Sequence, residues 1–486
     1  MNKQSRRACM KVSFISVSPN KGIDEREGRK SIAAFPPLSI LYLAAVLKEK
    51  GVEVSVLDQP ALGLTVKETV RWVEKENPDV VGFSTLTSSG QTAGLISNKV
   101  KEKNPDVTTV FGNHHATFNA ERILRKYPSV DIVVRGEGER TIVELVNCLE
   151  NGEDLKEVRG INFRKEGKIV STPDQPLIED LDALPVPDRE MLDAEYHCLI
   201  AGANIAPKKF TSIVTSRGCV YGCRFCSCKE LAKSRWRSRS AENTVEELQF
   251  LASEGYKQII FVDDAFTMNP KRVIEICRGI KKEKLDLEWI CEGRVDICSY
   301  SMLREMVEAG CKVLYLGIEN ANQRILDYYN KRITPQQSET AVKTSKKAGV
   351  DVTVGAFIIG APDETHEEIW NTIKFAQRLP IDLPQFNILG AHPGNDIWNE
   401  FVAKGFLDPD EWWEKGVAAC QVHPHARVSR DEIMQIMHDA FFQHVYHPTF
   451  IAKQVAQTLK SSYRMNVFVN NLSRLSEIRE GTNSVA

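Results

Sequence analysis

Residues 215–230 read TSRGCVYGCRFCSCKE and place Cys219, Cys223, Cys226 and Cys228 within ten residues. Thiols at that density form a disulfide knot, bind zinc, or bind an iron–sulfur cluster. The chain opens MNKQSRRACMKVSF, charged and without an apolar run behind it, so a secretory signal is not expected and a cytoplasmic location is. A reducing compartment argues against structural disulfides. Of twelve cysteines the other eight are dispersed, several in apolar contexts such as Cys148 and Cys277, where a thiol serves as a small hydrophobe. Cys219, Cys223 and Cys226 have the spacing C-x-x-x-C-x-x-C. Structural zinc usually takes paired C-x-x-C units, and no second pair follows here; Cys228 also crowds Cys226 too closely for easy tetrahedral closure. Three thiolates on a short loop suit an iron–sulfur cluster with one iron left open for a substrate, with a zinc knuckle as the alternative.

The elements around this loop must hold it rigidly. At 486 residues the chain exceeds one ordinary core, so two or three domains are expected. Lys+Arg 63 against Asp+Glu 65 leaves a net charge of -2, which gives no global basic field for nucleic acid. No apolar run reaches the roughly 20 residues needed to span a bilayer. In residues 1–150, KVSFISVS, VEVSVLD, DVVGFST, TTVFGN and DIVVRG read as buried strands, separated by amphipathic helices that end at Gly or Pro. That alternation predicts an α/β, Rossmann-like domain whose ligand loops follow the strands: 84–90, 112–118 and 136–140. Residues 151–205, rich in Pro and Asp, read as a connector. Over residues 206–404 six further strand–helix units predict a (βα)6 partial barrel, and residues 405–486 a helical C-terminal region. Its Trp412, Trp413, Phe441 and Phe442 either form the core of the tail or shape a substrate cleft.

The cysteine spacing, its place after the first barrel strand, and Phe225 before the third cysteine resemble the radical S-adenosylmethionine (SAM) superfamily. The resemblance implies a [4Fe-4S] cluster on Cys219, Cys223 and Cys226, with Cys228 spare. It implies SAM bound at the open iron and cleaved to a 5′-deoxyadenosyl radical. Further segments agree in order: Asp263 and Asp264 in FVDDAF, Glu292 and Arg294 in CEGRVD, and Glu319 in LGIEN. With Phe225 these are the expected cofactor contacts on the barrel. GAFIIGAPDET resembles the family's Gly-rich adenine turn, and NILGAHPGNDIW its PYPGT segment, with His392 in the aromatic's place.

A Rossmann-like domain ahead of such a barrel resembles the cobalamin-dependent branch. The implied corrin and nucleotide contacts are Ser84, Thr85, Leu86 and Thr87; Gly112, Asn113, His114, His115, Ala116 and Thr117; and Gly136, Glu137 and Gly138. Members often read G-G-x-H-x-T at the middle loop, and here Asn113 replaces the second glycine. The loop after the first strand carries no D-x-H-x-x-G motif and no histidine, so cobalamin is expected to bind without an imidazole ligand.

Together the two cofactors imply C-methylation of an unactivated sp3 carbon. SAM would serve twice, for methylcobalamin formation and for radical generation. The arrangement is similar to the glutamine C-methyltransferase of methyl-coenzyme M reductase, which implies a protein or peptide substrate. A reductant protein of ferredoxin or flavodoxin type is also implied, and neither nucleic acid nor a membrane span. The sequence nominates no catalytic acid or base. Alternatives are a cobalamin-dependent radical SAM cyclase or rearrangement enzyme acting on a tetrapyrrole, lipid or natural-product precursor, and a non-catalytic cobalamin carrier or sensor. A methylthiotransferase would need a second cysteine set, and Cys9, Cys148 and Cys198 are too dispersed for one.

Overall fold

The computed structural model describes residues 10–19, 35–200, 203–410 and 427–480, with side chains to 472. The chain divides into two compact units, Met1–Glu195 with Leu407–Cys420, and Tyr196–Phe406 with Gln421–Ala486.

The first unit is built on β1 (Lys11–Ser16), β2 (Glu53–Asp58), β3 (Val80–Ser84), β4 (Thr108–Gly112) and β5 (Ile132–Val134), parallel in the order β2-β1-β3-β4-β5. Val12, Val80, Val110, Ile132 and Phe14 form its core with helices Leu38–Glu49 and Gly138–Asn151. Burial on both faces explains why β3 and β5 are near-continuous apolar runs, whereas β2, half exposed at the sheet edge, alternates. A capping box starts helix Val66–Glu76: the Glu68 carboxylate accepts the Thr65 N–H at 2.9 Å and the Thr65 hydroxyl accepts the Glu68 N–H at 3.2 Å. The order is that of a flavodoxin-like sheet, in which ligands sit beyond the carboxyl ends of the strands.

Residues 151–205 are more than a connector. They carry a hairpin, β6 (Ile161–Lys165) and β7 (Lys168–Ser171), that joins β5 antiparallel and extends the sheet to seven strands. Its two-residue turn, Glu166 and Gly167, has φ of 52° and 74°. That is the left-handed geometry hairpins favour, written here with Glu where Asn or Asp would announce it.

The second unit holds six parallel strands paired in chain order: β8 (Phe210–Ile213), β9 (Gln258–Phe261), β10 (Glu288–Gly293), β11 (Cys311–Glu319), β12 (Val352–Ile359) and β13 (Leu383–Ile388). The first and last strands are not paired with each other, so the barrel is partial. Between the sheet and its outer helices lies a core that includes Trp289, Phe261, Phe266, Leu316 and Val342. Three helices follow: Arg430–Val445, Pro448–Thr458 and Ser462–Glu480. Buried Tyr463 donates to the Ile205 carbonyl at 2.7 Å and packs with Phe210, Ile290 and Val313 under the starting ends of the strands. Among the described residues no helix is long and apolar enough to cross a membrane. Trp412, Trp413 and loop residues 20–34 lie outside the described residues.

Candidate functional site

Beyond β8 the chain turns into the cysteine loop at Gly218. There φ is +88°, and a Cβ would lie 2.1 Å from the Arg235 carbonyl oxygen, so only glycine fits. Cys223 is buried, Cys219 half-buried and Cys226 exposed. Burial pushes the Cys219 and Cys223 thiols up, while Arg294 draws both of them down and Lys331 draws Cys223 down. Cys226 is held down to about 7, chiefly by the side chain of Cys228, whose backbone N–H also lies 3.4 Å from the Cys226 sulfur. No trio of His, Cys, Asp or Glu among the described residues converges as ligands of one metal ion. Three thiols on one short loop, with Cys226 held toward its thiolate, supply the donor set an iron–sulfur cluster takes.

The loop is clamped by residues the sequence did not single out. Asn330 donates to the Gly222 carbonyl at 2.7 Å, Asn395 donates to the Phe225 carbonyl at 3.0 Å, and Arg224 N–H donates to the Tyr329 carbonyl at 2.9 Å. The Arg224 guanidinium lies over the Tyr328 ring and pairs with Glu400 at 2.6 Å. Phe225 meets Tyr329 edge-on, ring centroids 5.4 Å apart. No short motif could reveal these partners, because they lie about 100 to 170 residues away in sequence.

The expected barrel acids fall into two groups. Asp263 turns inward: it is buried and accepts from the Thr215 N–H, the Thr215 hydroxyl and the Ser216 hydroxyl, each at 2.6 Å. It ties β9 to the root of the cysteine loop rather than facing a ligand. Asp264 is exposed and accepts the Gly218 N–H at 2.8 Å, one residue before the first cysteine. Glu292 is open to solvent yet ringed by protein; burial and the neighbouring Glu319 and Asp264 push its carboxyl up. Glu292 therefore stands near Asp264 and Glu319 at the carboxyl ends of the strands. Glu319 sits at φ 65° beside a β-bulge and pairs with Lys331, both partners buried. Arg294 is also enclosed: it pairs with Asp296 at 3.0 Å, donates to the Lys331 carbonyl at 3.1 Å, and stacks 3.4 Å from the Tyr221 ring centroid. Through Tyr221 it holds the cysteine loop from within. His392 is half-buried, with its imidazole pushed down by desolvation.

In the first unit the three expected loops follow adjacent strands β3, β4 and β5 and are hydrogen-bonded together. Thr85 N–H and hydroxyl both donate to the Gly112 carbonyl, Asn113 donates to the Ser84 hydroxyl at 2.8 Å, and the Gly136 N–H donates to the Thr117 hydroxyl at 3.1 Å. A Cβ at Gly112 or Gly136 would meet nothing within 4 Å, so the backbone there is bare to an approaching ligand. Asn113 has φ 78°. It is among the few residues besides glycine that tolerate this region, which accounts for its standing where the pattern has glycine. Leu86 and His114 are exposed on this ledge, Ser84 and Thr87 partly so. Thr85, His115 and Ala116 are buried beneath it. His115 packs where a Cβ on Gly90 would come within 2.6 Å of its ring, and burial lowers its imidazole to about 4. The histidine pair therefore splits into one outward and one core residue. Glu137 accepts the Ile178 N–H at 2.7 Å, and Gly138 opens a helix with a Cβ position 3.1 Å from Leu43. An open, polar, bare-backboned ledge fits a broad planar ligand such as a corrin.

Residues 213–376 match the radical SAM superfamily and residues 30–146 the B12 binding domain. The uncharacterized methyltransferase PH0819 of Pyrococcus horikoshii is 38% identical over 86% of this chain and 90% of its own. The anaerobic magnesium-protoporphyrin IX monomethyl ester cyclase of Rubrivivax gelatinosus is 32% identical over 81% of this chain and 70% of its own. The radical SAM methyltransferase TsrM from Kitasatospora setae, solved with cobalamin and a [4Fe-4S] cluster, shares the fold. Its TM-score is 0.67 at 17% identity, over 82% of this chain and 75% of that one.

Proposed function

This chain belongs to the B12-binding radical SAM enzymes, and from that membership we propose that it is a cobalamin-dependent C-methyltransferase of an unactivated sp3 carbon. Its cofactors are a [4Fe-4S] cluster, SAM and cobalamin. The observation that carries the reading is the pairing, in one chain, of a three-thiol loop on a barrel with a bare-backboned ledge on a flavodoxin-like sheet. When bound, these cofactors supply a carbon-centred radical able to remove hydrogen from sp3 carbon and a methyl group to replace it.

The protein's share is positioning. Cys219, Cys223 and Cys226 would hold the cluster. Asp264, Asn330 and Asn395 fix the loop's backbone, and Arg294 fixes it through Tyr221. Asp264 and Glu292 at the carboxyl ends of the strands would accept from SAM's ammonium and hydroxyl groups, with Glu319 near them neutralised by Lys331. Residues 84–87, 112–117 and 136–138 would cradle the corrin and its nucleotide tail; Thr85, His115 and Ala116 support the ledge from below.

For the acceptor, the favoured reading is a glutamine of methyl-coenzyme M reductase, supported by the likeness of domain order to the methyltransferase that modifies it. Electrons would come from a ferredoxin- or flavodoxin-type donor. Ring closure on a tetrapyrrole is the second reading, supported by the 32% identity to the Rubrivivax cyclase. Anaerobic reconstitution with SAM labelled in its methyl group separates the two. A methyltransferase delivers label to the peptide containing the glutamine. Turnover of a porphyrin ester without incorporated label would replace this reading with the cyclase.

A further inference from the structure

Helix Pro448–Thr458 is packed inside-out. None of its residues is buried. Its polar side turns to the protein: Gln454 reaches Asp382 at 3.4 Å and accepts from Arg464 at 2.8 Å. Its outward side carries Ile451, Ala452, Val455 and Ala456, followed by Leu459, at the i, i+4, i+8 spacing of one helical face. Val455 is 54% exposed and Leu459 72%. The next helix adds exposed Phe468, Val469 and Leu472, and Tyr446 stands 67% exposed at the head of the group. Scattered exposed apolar residues need no explanation, but a row along one face of a helix, with further exposed apolar residues on the next helix, does.

Charge indicates what covers it. Between positions 440 and 476 the sequence has no Asp or Glu, whereas the whole chain carries 65 acids against 63 Lys and Arg. Arg464 is engaged by Asp382 at 2.7 Å. Lys460 is exposed and Lys453 half-buried, with Lys346 and His444 near enough to feel its charge; neither lysine makes an ion pair among the described residues. A second copy of this chain would set like charge against like charge here. An anionic bilayer surface answers both features, since apolar side chains enter the headgroup–acyl boundary while lysines remain among the phosphates.

We propose that the face formed by Ile451, Val455, Leu459, Phe468, Val469 and Leu472 docks on anionic phospholipid, holding the enzyme at a membrane surface without spanning it. The inference stands apart from the methyltransferase reading, since it uses no residue of either cofactor site. It is tested with the full reconstituted chain, by co-sedimentation with phosphatidylcholine vesicles with and without about one-third phosphatidylglycerol. Binding is expected to the anionic vesicles, to weaken with added salt, and to fall roughly tenfold or more in V455E/L459E/F468E. K453Q/K460Q is expected to lose the phosphatidylglycerol preference. Thermal melting of each variant checks its fold, and the lysine pair decides if the triple variant melts early. Equal binding to both vesicle types, or binding unchanged in K453Q/K460Q, overturns the proposal. A dimer in sedimentation equilibrium that V455E/L459E/F468E dissociates, with no vesicle binding, overturns it in favour of a second copy.

Discussion

Cys226 and Cys228 stand two positions apart with different tasks. Cys226 is exposed on the loop, whereas Cys228 is buried at the start of a short helix and offers its backbone N–H to the Cys226 sulfur. A serine at 228 keeps that N–H. Cys228→Ser is therefore expected to retain iron and sulfide after anaerobic reconstitution and to yield 5′-deoxyadenosine with SAM and a reductant. Cys226→Ser is expected to lose at least a hundredfold of that product. Iron loss in Cys228→Ser would make Cys228 a ligand. His115 supports a pH prediction. Its folded value of about 4 lies below the ordinary 6.5 because burial disfavours the charged ring. Between those values the unfolded chain binds a proton that the folded one does not. The His115 contribution is thus intact above pH 6.5 and declines as pH falls toward 4, by about 1.4 kcal/mol per pH unit. Denaturant titrations should show that dependence reduced in His115→Gln; an unchanged slope would mean the ring is protonated in place.

Among the elements, the C-terminal helices are tied to the barrel through Asp382, which precedes β13. Burial alone would raise its carboxyl, but Lys346 and Arg464 outweigh that cost and hold it below its ordinary value. Asp382 also accepts the Thr353 N–H at 2.7 Å, so one side chain joins two strands, a barrel helix and the tail. Asp382→Asn leaves two cations facing a neutral amide and should cost about 3 kcal/mol, read as a lower thermal midpoint. Arg464→Met should cost less, because Lys346 still balances the charge. Equal losses would show that the tail contact, not the charge balance, matters. Both ends of this arrangement escape sequence reading: an Asp before a strand and an Arg in a helix are unremarkable until the fold brings 382 and 464 together.

Across the whole molecule, both units use one device, a parallel sheet whose strand ends present loops that a ligand can approach. That device was legible because buried parallel strands are written as short β-branched runs, and all eleven such runs fall on observed strands. The hairpin at 161–171 was not legible, because its Glu-Gly turn lacks the usual Asn or Asp and a Pro- and Asp-rich run follows it directly.

The sequence by itself determined the two architectures, the three-thiol loop and the resemblance they carry, since each depends on residues near one another along the chain. Only the tertiary structure decided which acids are enclosed by the fold and which stay exposed. Asp263 and Asp264 are neighbours in a strand-end turn, yet one is spent on three hydrogen bonds within the fold and the other opens to solvent. Likewise it separated His114 from His115, and it turned the apolar face of Pro448–Thr458 outward. The physical reason is common to all three. Sequence fixes what a side chain can do, but direction and burial are set by partners tens of residues away, and a polar group satisfied inside the protein is no longer available to a ligand.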